Sequence, residues 1–192
     1  MKQITDKIHV NAPFKMLYET YLGYFIKHRL NPEISFDAVT LESFSMSDFR
    51  KVAEQLLAHN LSITFHGPFM DLCPGSSDPG IRELTRHRFE QVLELIPLFK
   101  PKIMVCHAGY DWKRYLDKRD FWIEKSLEIW SWLGATCGQA LNILKKLGHA
   151  KYSVSDAARF CKSCLNRMLH RHDLQNRATV LQAMRRKNGV FA

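Results

Sequence analysis

Two histidines in this chain stand where imidazole chemistry can be done. His66 follows the apolar run Leu61–Phe65, and His107 follows Lys102–Cys106. Each is the first polar residue after a stretch that reads as a β-strand. When such strands run parallel, the side chains at their carboxyl ends converge on one mouth. Imidazole titrates near neutrality, so it can move a proton to or from a carbon acid or a hydroxyl, and in its neutral form it binds a divalent metal. Either histidine alone is as readily a strand-end residue satisfied by backbone. The pair in register is what favours a site. Glu42 holds the corresponding place after the run Ile34–Leu41, and Asn11 after Ile8–Asn11. The alternatives for these two are a solvated loop carboxylate and a turn former ahead of Pro13. Asp111, Trp112 and Arg114 follow the fourth strand, where an aromatic face and a guanidinium suit hydroxyls or a phosphate. The residues expected to act on substrate are therefore His66, His107 and Glu42. Asn11, Trp112 and Arg114 are expected to bind it.

Positioning these groups takes alternating strands and helices. Met16, Leu17, Tyr21, Tyr24 and Phe25 recur at helical spacing within Lys15–Arg29, and Asn31–Pro32 breaks the pattern. A second helix is expected over Asp48–His59, with Ser45 and Ser47 as N-cap candidates and Phe49, Val52, Ala53, Leu56 and Leu57 on one face. Asp78 and Pro79 mark the start of a third that runs to Phe99. The fourth spans Asp120–Leu133. Four βα periods predict parallel strands, either as an open doubly wound sheet or as half of a (β/α)₈ barrel. No glycine-rich phosphate-binding fingerprint follows the first strand, which disfavours the doubly wound nucleotide-binding alternative. At 192 residues the chain is also shorter than the about 250 residues a whole barrel needs. The fold class expected is thus α/β, a partial TIM barrel of four parallel βα units in residues 1–133. An irregular or helical basic segment occupies 134–192. A half barrel leaves two open sheet edges and an uncovered inner face, so a homodimer or a poorly covered face is expected.

Charge divides the chain at the same place. Residues 1–132 carry 17 Lys+Arg and 17 Asp+Glu, whereas 133–192 carry 11 cations against Asp156 and Asp173 alone. Such an asymmetry is one signature of a nucleic-acid-binding tail, but no aromatic interleaving or known binding motif accompanies it. A change of reading frame or a truncation gives the same texture. Cys161-x-x-Cys164 followed by His170-x-His172 looks like a zinc motif, yet its spacing is too short for a finger. Five cysteines in no regular framework argue against a disulfide scaffold. The chain shows no long apolar run and no secretory leader at its start, so a cytoplasmic protein without membrane contact is expected.

Residues 66–110, HGPFMDLCPGSSDPGIRELTRHRFEQVLELIPLFKPKIMVCHAGY, resemble the xylose-isomerase-like barrel superfamily. The likeness is strongest to its sugar-phosphate isomerases/epimerases, with the type-IV AP endonucleases as relatives. It is carried by the His-x-Pro-[FY] turn at His66 and the His-x-Gly turn at His107, and it covers about residues 5–133. The resemblance implies that His66 and His107 line a mouth for substrate and metal, the ion being Mn, Mg, Zn or Co. It implies a sugar or sugar phosphate as substrate, isomerised or epimerised with the ion's help. In the endonuclease branch the matching histidines bind zinc, which leaves a nucleic-acid repair activity as the alternative. A non-catalytic half barrel is the other. The chain departs from the family after the fourth helix. Leu141-Asn142-Ile143 stands where a Leu-Glu-Asn strand is expected, no Glu follows Glu128, and the later acidic and histidine motifs are absent.

Overall fold

Apolar and polar residues alternate along the first strand, and the alternation decides which face of the sheet is buried. In the computed structural model, which describes residues 8–111 and 113–146, that strand is β1 (His9–Pro13). A helical stretch follows through Phe14–Met16, a π-helical turn at Leu17–Tyr21, and Leu22–Lys27; together these are α1. Then come β2 (Asn31–Ser35), α2 (Ala38–Ser43), α3 (Met46–Ala58), β3 (Thr64–His66), α4 (Pro79–Phe99), β4 (Met104–Val105) and α5 (Arg119–Lys146). All strand pairs are parallel and the order is β1-β2-β3-β4. A doubly wound sheet reverses direction part-way through its strand order. Here every new strand adds to the same side, which is the progression of a barrel, so the expected half-barrel architecture holds.

The chain divides into two compact units. The first runs to Asp71 and resumes over Arg86–His107; the second comprises Leu72–Thr85 and the described residues from Ala108. The whole sheet lies in the first. There Ala12, Ile34, Phe65 and Met104 align across the four strands and are all buried. They meet a cluster of rings on that face, in which Phe36 packs edge-on against Phe65 at 4.9 Å and Phe65 against Phe99 at 5.5 Å. Phe14, the first helical residue, is fully buried beside Phe36, Phe44, Phe49 and Phe99. The intervening rows, Asn11–Glu33–Thr64 and Pro13–Ser35–His66–Val105, point to the opposite face because side chains alternate along a strand. That second face, the concave side of a barrel, is markedly polar.

The second strand corrects the sequence reading, which places it at Ile34–Leu41. It occupies Asn31–Ser35 instead, and the stretch Ala38–Ser43 is helical. Asp37 decides the matter: its Oδ1 accepts from the Thr40 backbone N–H at 2.7 Å, capping α2 and outweighing the β-branched Val39 and Thr40. Pro32, which argues against a strand by lacking an N–H, sits where only one neighbour needs bonding. It pairs with Val10, while β3 begins to pair only at Glu33.

Ser45 caps α3 in a reciprocal capping box with Asp48. The Asp48 carboxylate accepts from the Ser45 hydroxyl at 2.6 Å, the Ser45 N–H at 2.9 Å and the Tyr18 hydroxyl at 2.7 Å. The Ser45 bond and then the Tyr18 bond hold its pKa below the usual carboxylate value. A lowered folded pKa adds stability above the ordinary carboxylate range and loses it as pH falls through the lowered value. Ser45→Ala is therefore expected to cost about 1 kcal/mol at neutral pH and to flatten the acid limb of the stability curve, as denaturant melts from pH 7 down to pH 2 would record.

In the second unit, Gly75 lies against α5. A Cβ there would stand 2.4 Å from the Trp122 carbonyl oxygen and 2.5 Å from the Ser126 hydroxyl. The Trp122 indole N–H donates to Cys73 Sγ at 3.4 Å, and the Tyr110 ring packs on Trp122 at 4.8 Å. Backbone cannot yield as a side chain can, so Gly75→Ala is expected to destabilise this unit by about 1–3 kcal/mol and to weaken the near-ultraviolet circular dichroism of its aromatic residues. Helix α5 continues beyond Leu133, so the boundary expected at 133/134 falls inside a helix. The zinc-like motif at Cys161–His172 and most of the basic segment lie outside the described residues.

Candidate active site

One polar residue from each of the four strands, or from just beyond it, takes part in a single hydrogen-bonded series. Asn11 on β1 donates through Nδ2 to Glu33 Oε1 on β2 at 3.1 Å. His66, the last residue of β3, binds the same oxygen through Nδ1 at 2.8 Å. Its Nε2 lies 2.8 Å from Nε2 of His107, two residues past β4. The strand register makes this possible: Asn11 pairs with Glu33, and His66 lies beside Val105 in the next layer up. His66 and His107, both singled out by sequence, are thus brought into direct contact. The glycine after His66 is needed for closeness, since a Cβ on Gly67 would press at 3.2 Å on the Val105 carbonyl oxygen and on the Phe89 ring.

The two imidazole rings sit in different surroundings. His66 and Glu33 are largely covered, with side chains 17% and 22% exposed. Partial burial, and then the neighbouring His66, lower the pKa of His107 below the ordinary histidine value, while Glu33 opposes them. His107 is therefore held toward its neutral form, in which imidazole can accept a proton. Phe69 completes this end of the sheet, its half-exposed ring 4.4 Å from that of His107 and 5.4 Å from that of His66. A nonpolar ring beside two polar ones offers a surface for the C–H face of a ligand.

Other residues expected at the site are placed differently. Glu42 stands on α2, well exposed, in an ion pair with Arg88 Nη2 at 2.6 Å. It does not join the histidine series; with β2 ending at Ser35 there is no strand end for Glu42 to occupy. Glu33 takes the carboxylate position. Asn11 is present but contacts Glu33. Arg114 belongs to the second unit, is largely exposed, and lies 4.0 Å from Asp111, whose Oδ1 accepts the backbone N–H of Lys113 and of Arg114. Trp112 lies outside the described residues. Sequence reasoning misses Glu33 and Phe69, Glu33 because it directly follows a proline. The position of Phe69 inside the His-x-Pro-[FY] turn is the signal that could have found it.

As a metal centre the arrangement offers two ligands. Two imidazole nitrogens converge, and the far nitrogen of one is backed by a carboxylate, the pattern that orients a metal-binding histidine. Among the described residues no group of three or more His, Cys, Asp or Glu side chains converges. The 2.8 Å separation is that of a shared proton; across a tetrahedral zinc, bonds of about 2.05 Å put two nitrogens roughly 3.4 Å apart.

The fold and this strand-end series define a class: part of an α/β barrel with a polar mouth at the carboxyl ends of its strands. Solved structures share that fold, including these two. A TTHB071 protein from Thermus thermophilus, soaked with ZnCl2, superposes with a TM-score of 0.50 at 23% identity, over 73% of this chain and 52% of its own. A D-tagatose 3-epimerase-like protein superposes with a TM-score of 0.53 at 17% identity, over 69% and 50% respectively. The chain spans about half the length of both, and at such identities the likeness is one of fold. No family model and no curated protein matches the sequence. No described helix is long and apolar enough to cross a membrane.

Proposed function

We propose that this chain supplies half of the mouth of a sugar isomerase/epimerase-type barrel, with His66 and His107 binding the oxygens of a sugar or sugar phosphate and exchanging a proton with it. The contact between the two Nε2 atoms at the ends of adjacent strands carries this reading. Aldose–ketose isomerisation and epimerisation beside a carbonyl both remove a proton from carbon and return one. A neutral His107 is suited to accept such a proton. His66 adjoins it, and the Glu33 carboxylate holds the His66 ring through Nδ1. The ring of Phe69 would face the sugar's C–H surface. A divalent ion, if bound, would be held by His66 and His107 with further ligands from outside the described residues, and would polarise the substrate carbonyl. The fold shared with an epimerase-like protein supports this substrate class. The test is calorimetric binding of a panel of ketoses and ketose phosphates to the full chain, with and without added Mn2+, Mg2+, Co2+ or Zn2+. Binding should weaken by about 10- to 100-fold in His66→Ala and in His107→Ala. A chain that binds none of the panel under any of these conditions overturns the reading.

A further inference from the structure

We propose that Glu33, itself held by Asn11, is the positioning residue of this site, fixing His66 as its Nδ1–H tautomer and thereby setting which nitrogens of the histidine pair face a ligand. The argument is one of donors and acceptors. An ionised carboxylate only accepts hydrogen bonds, so the 2.8 Å contact with Glu33 requires a proton on His66 Nδ1. In neutral His66 the lone pair is then on Nε2, aimed at Nε2 of His107. That nitrogen must in turn be the N–H of neutral His107, which leaves His107 Nδ1 as the bare base of the pair. A choice made at Glu33 thus passes through two rings, and Asn11 secures its start by donating to the same Oε1. His66 and Glu33 are mostly covered, so water competes little for either bond.

A cation can use the same pair once the two Nε2 atoms part from 2.8 Å to roughly 3.4 Å. With His66 Nδ1 occupied, only its Nε2 is open for ligation, and a single proton, the one on His107 Nε2, must leave before both nitrogens can bind. Outer carboxylates that hold a ligating histidine this way strengthen binding by about 10- to 100-fold. The cation part rests on the proposed function; the tautomer assignment stands without it.

The two are separated by reading tautomers and binding independently. Long-range proton–nitrogen correlation spectra of the metal-free full chain at neutral pH should show His66 protonated at Nδ1 and His107 at Nε2. Glu33→Gln keeps an oxygen acceptor and should retain that pattern. Glu33→Ala should lose it, with His66 becoming a tautomer mixture. Titration with Zn2+ alone should then give affinities about 10- to 100-fold weaker for Glu33→Ala, with Glu33→Gln in between. His66 protonated at Nε2 in the wild type, or a tautomer unchanged in Glu33→Ala, overturns the proposal. A shifted tautomer with equal Zn2+ affinity in all three proteins overturns the cation part and leaves Glu33 as the residue that sets the tautomer. If the tautomers behave as stated, Zn2+ binds in the expected order and no sugar binds, the proposed substrate class fails while the role of Glu33 stands.

Discussion

Replacing Phe14 with alanine is expected to cost about 3–5 kcal/mol, the range for removing a fully buried ring, and to lower the melting temperature by roughly 6–20 °C for a chain of this size. The ring is completely inaccessible and fixes several elements at once. It meets Phe36 at the end of β2, Phe44 before α3, Phe49 within α3, and Phe99 at the end of α4. Rings at mixed stacked and edge-on angles leave little freedom to collapse into the space vacated, so the cavity term should be near its full size. Phe14→Leu should recover much of the loss. Thermal denaturation followed by far-ultraviolet circular dichroism measures both, and a shift below about 1 kcal/mol would mean that this cluster is not the core that joins the helices to the sheet.

His107→Ala should separate binding from folding. The side chain is exposed and past the end of β4, so stability should change by no more than about 0.5 kcal/mol. Binding of a sugar phosphate should weaken by about 10- to 100-fold, which corresponds to losing one hydrogen bond to a charged group. His66→Ala should weaken binding as much and destabilise somewhat more, because it strands the Glu33 carboxylate in partly covered surroundings. The double variant should bind no worse than the weaker single one, since the rings act through one shared contact. Isothermal titration against matched melting curves reads both quantities. Additive losses would show that the two histidines work separately.

The parts of this protein legible in sequence are those carried by periodicity and punctuation. Four βα periods, the start of α4 at Asp78–Pro79 and the cap at Ser45 are local signals, and each stands in the structure. So does the meeting of His66 with His107, because the strand-end rule needs only parallel neighbours. Local preference misleads where context overrides it. Pro32 reads as a breaker, whereas it falls ahead of the point where β3 joins. Val39 and Thr40 read as strand residues, whereas Asp37 caps a helix there. Those two features together hide Glu33 and promote Glu42. No pattern in one dimension distinguishes a carboxylate on the concave face from one at a helix end, since the difference lies in which strand lies alongside.

The strand order has a consequence for how the molecule comes to be made. Because β1, β2, β3 and β4 lie side by side in the order of synthesis, each strand emerging from the ribosome finds its docking edge already built, and no gap must be held open for a later arrival. Each pairing joins residues 22 to 39 apart in the chain, one βα unit at a time, so no strand waits for a partner beyond the neighbouring unit. Growth of this kind is vectorial, with β1 as template and β4 as the advancing front. The hydrogen-bonded series from Asn11 to His107 is completed only when β4 has paired, so the site forms after all four of these strands are in place.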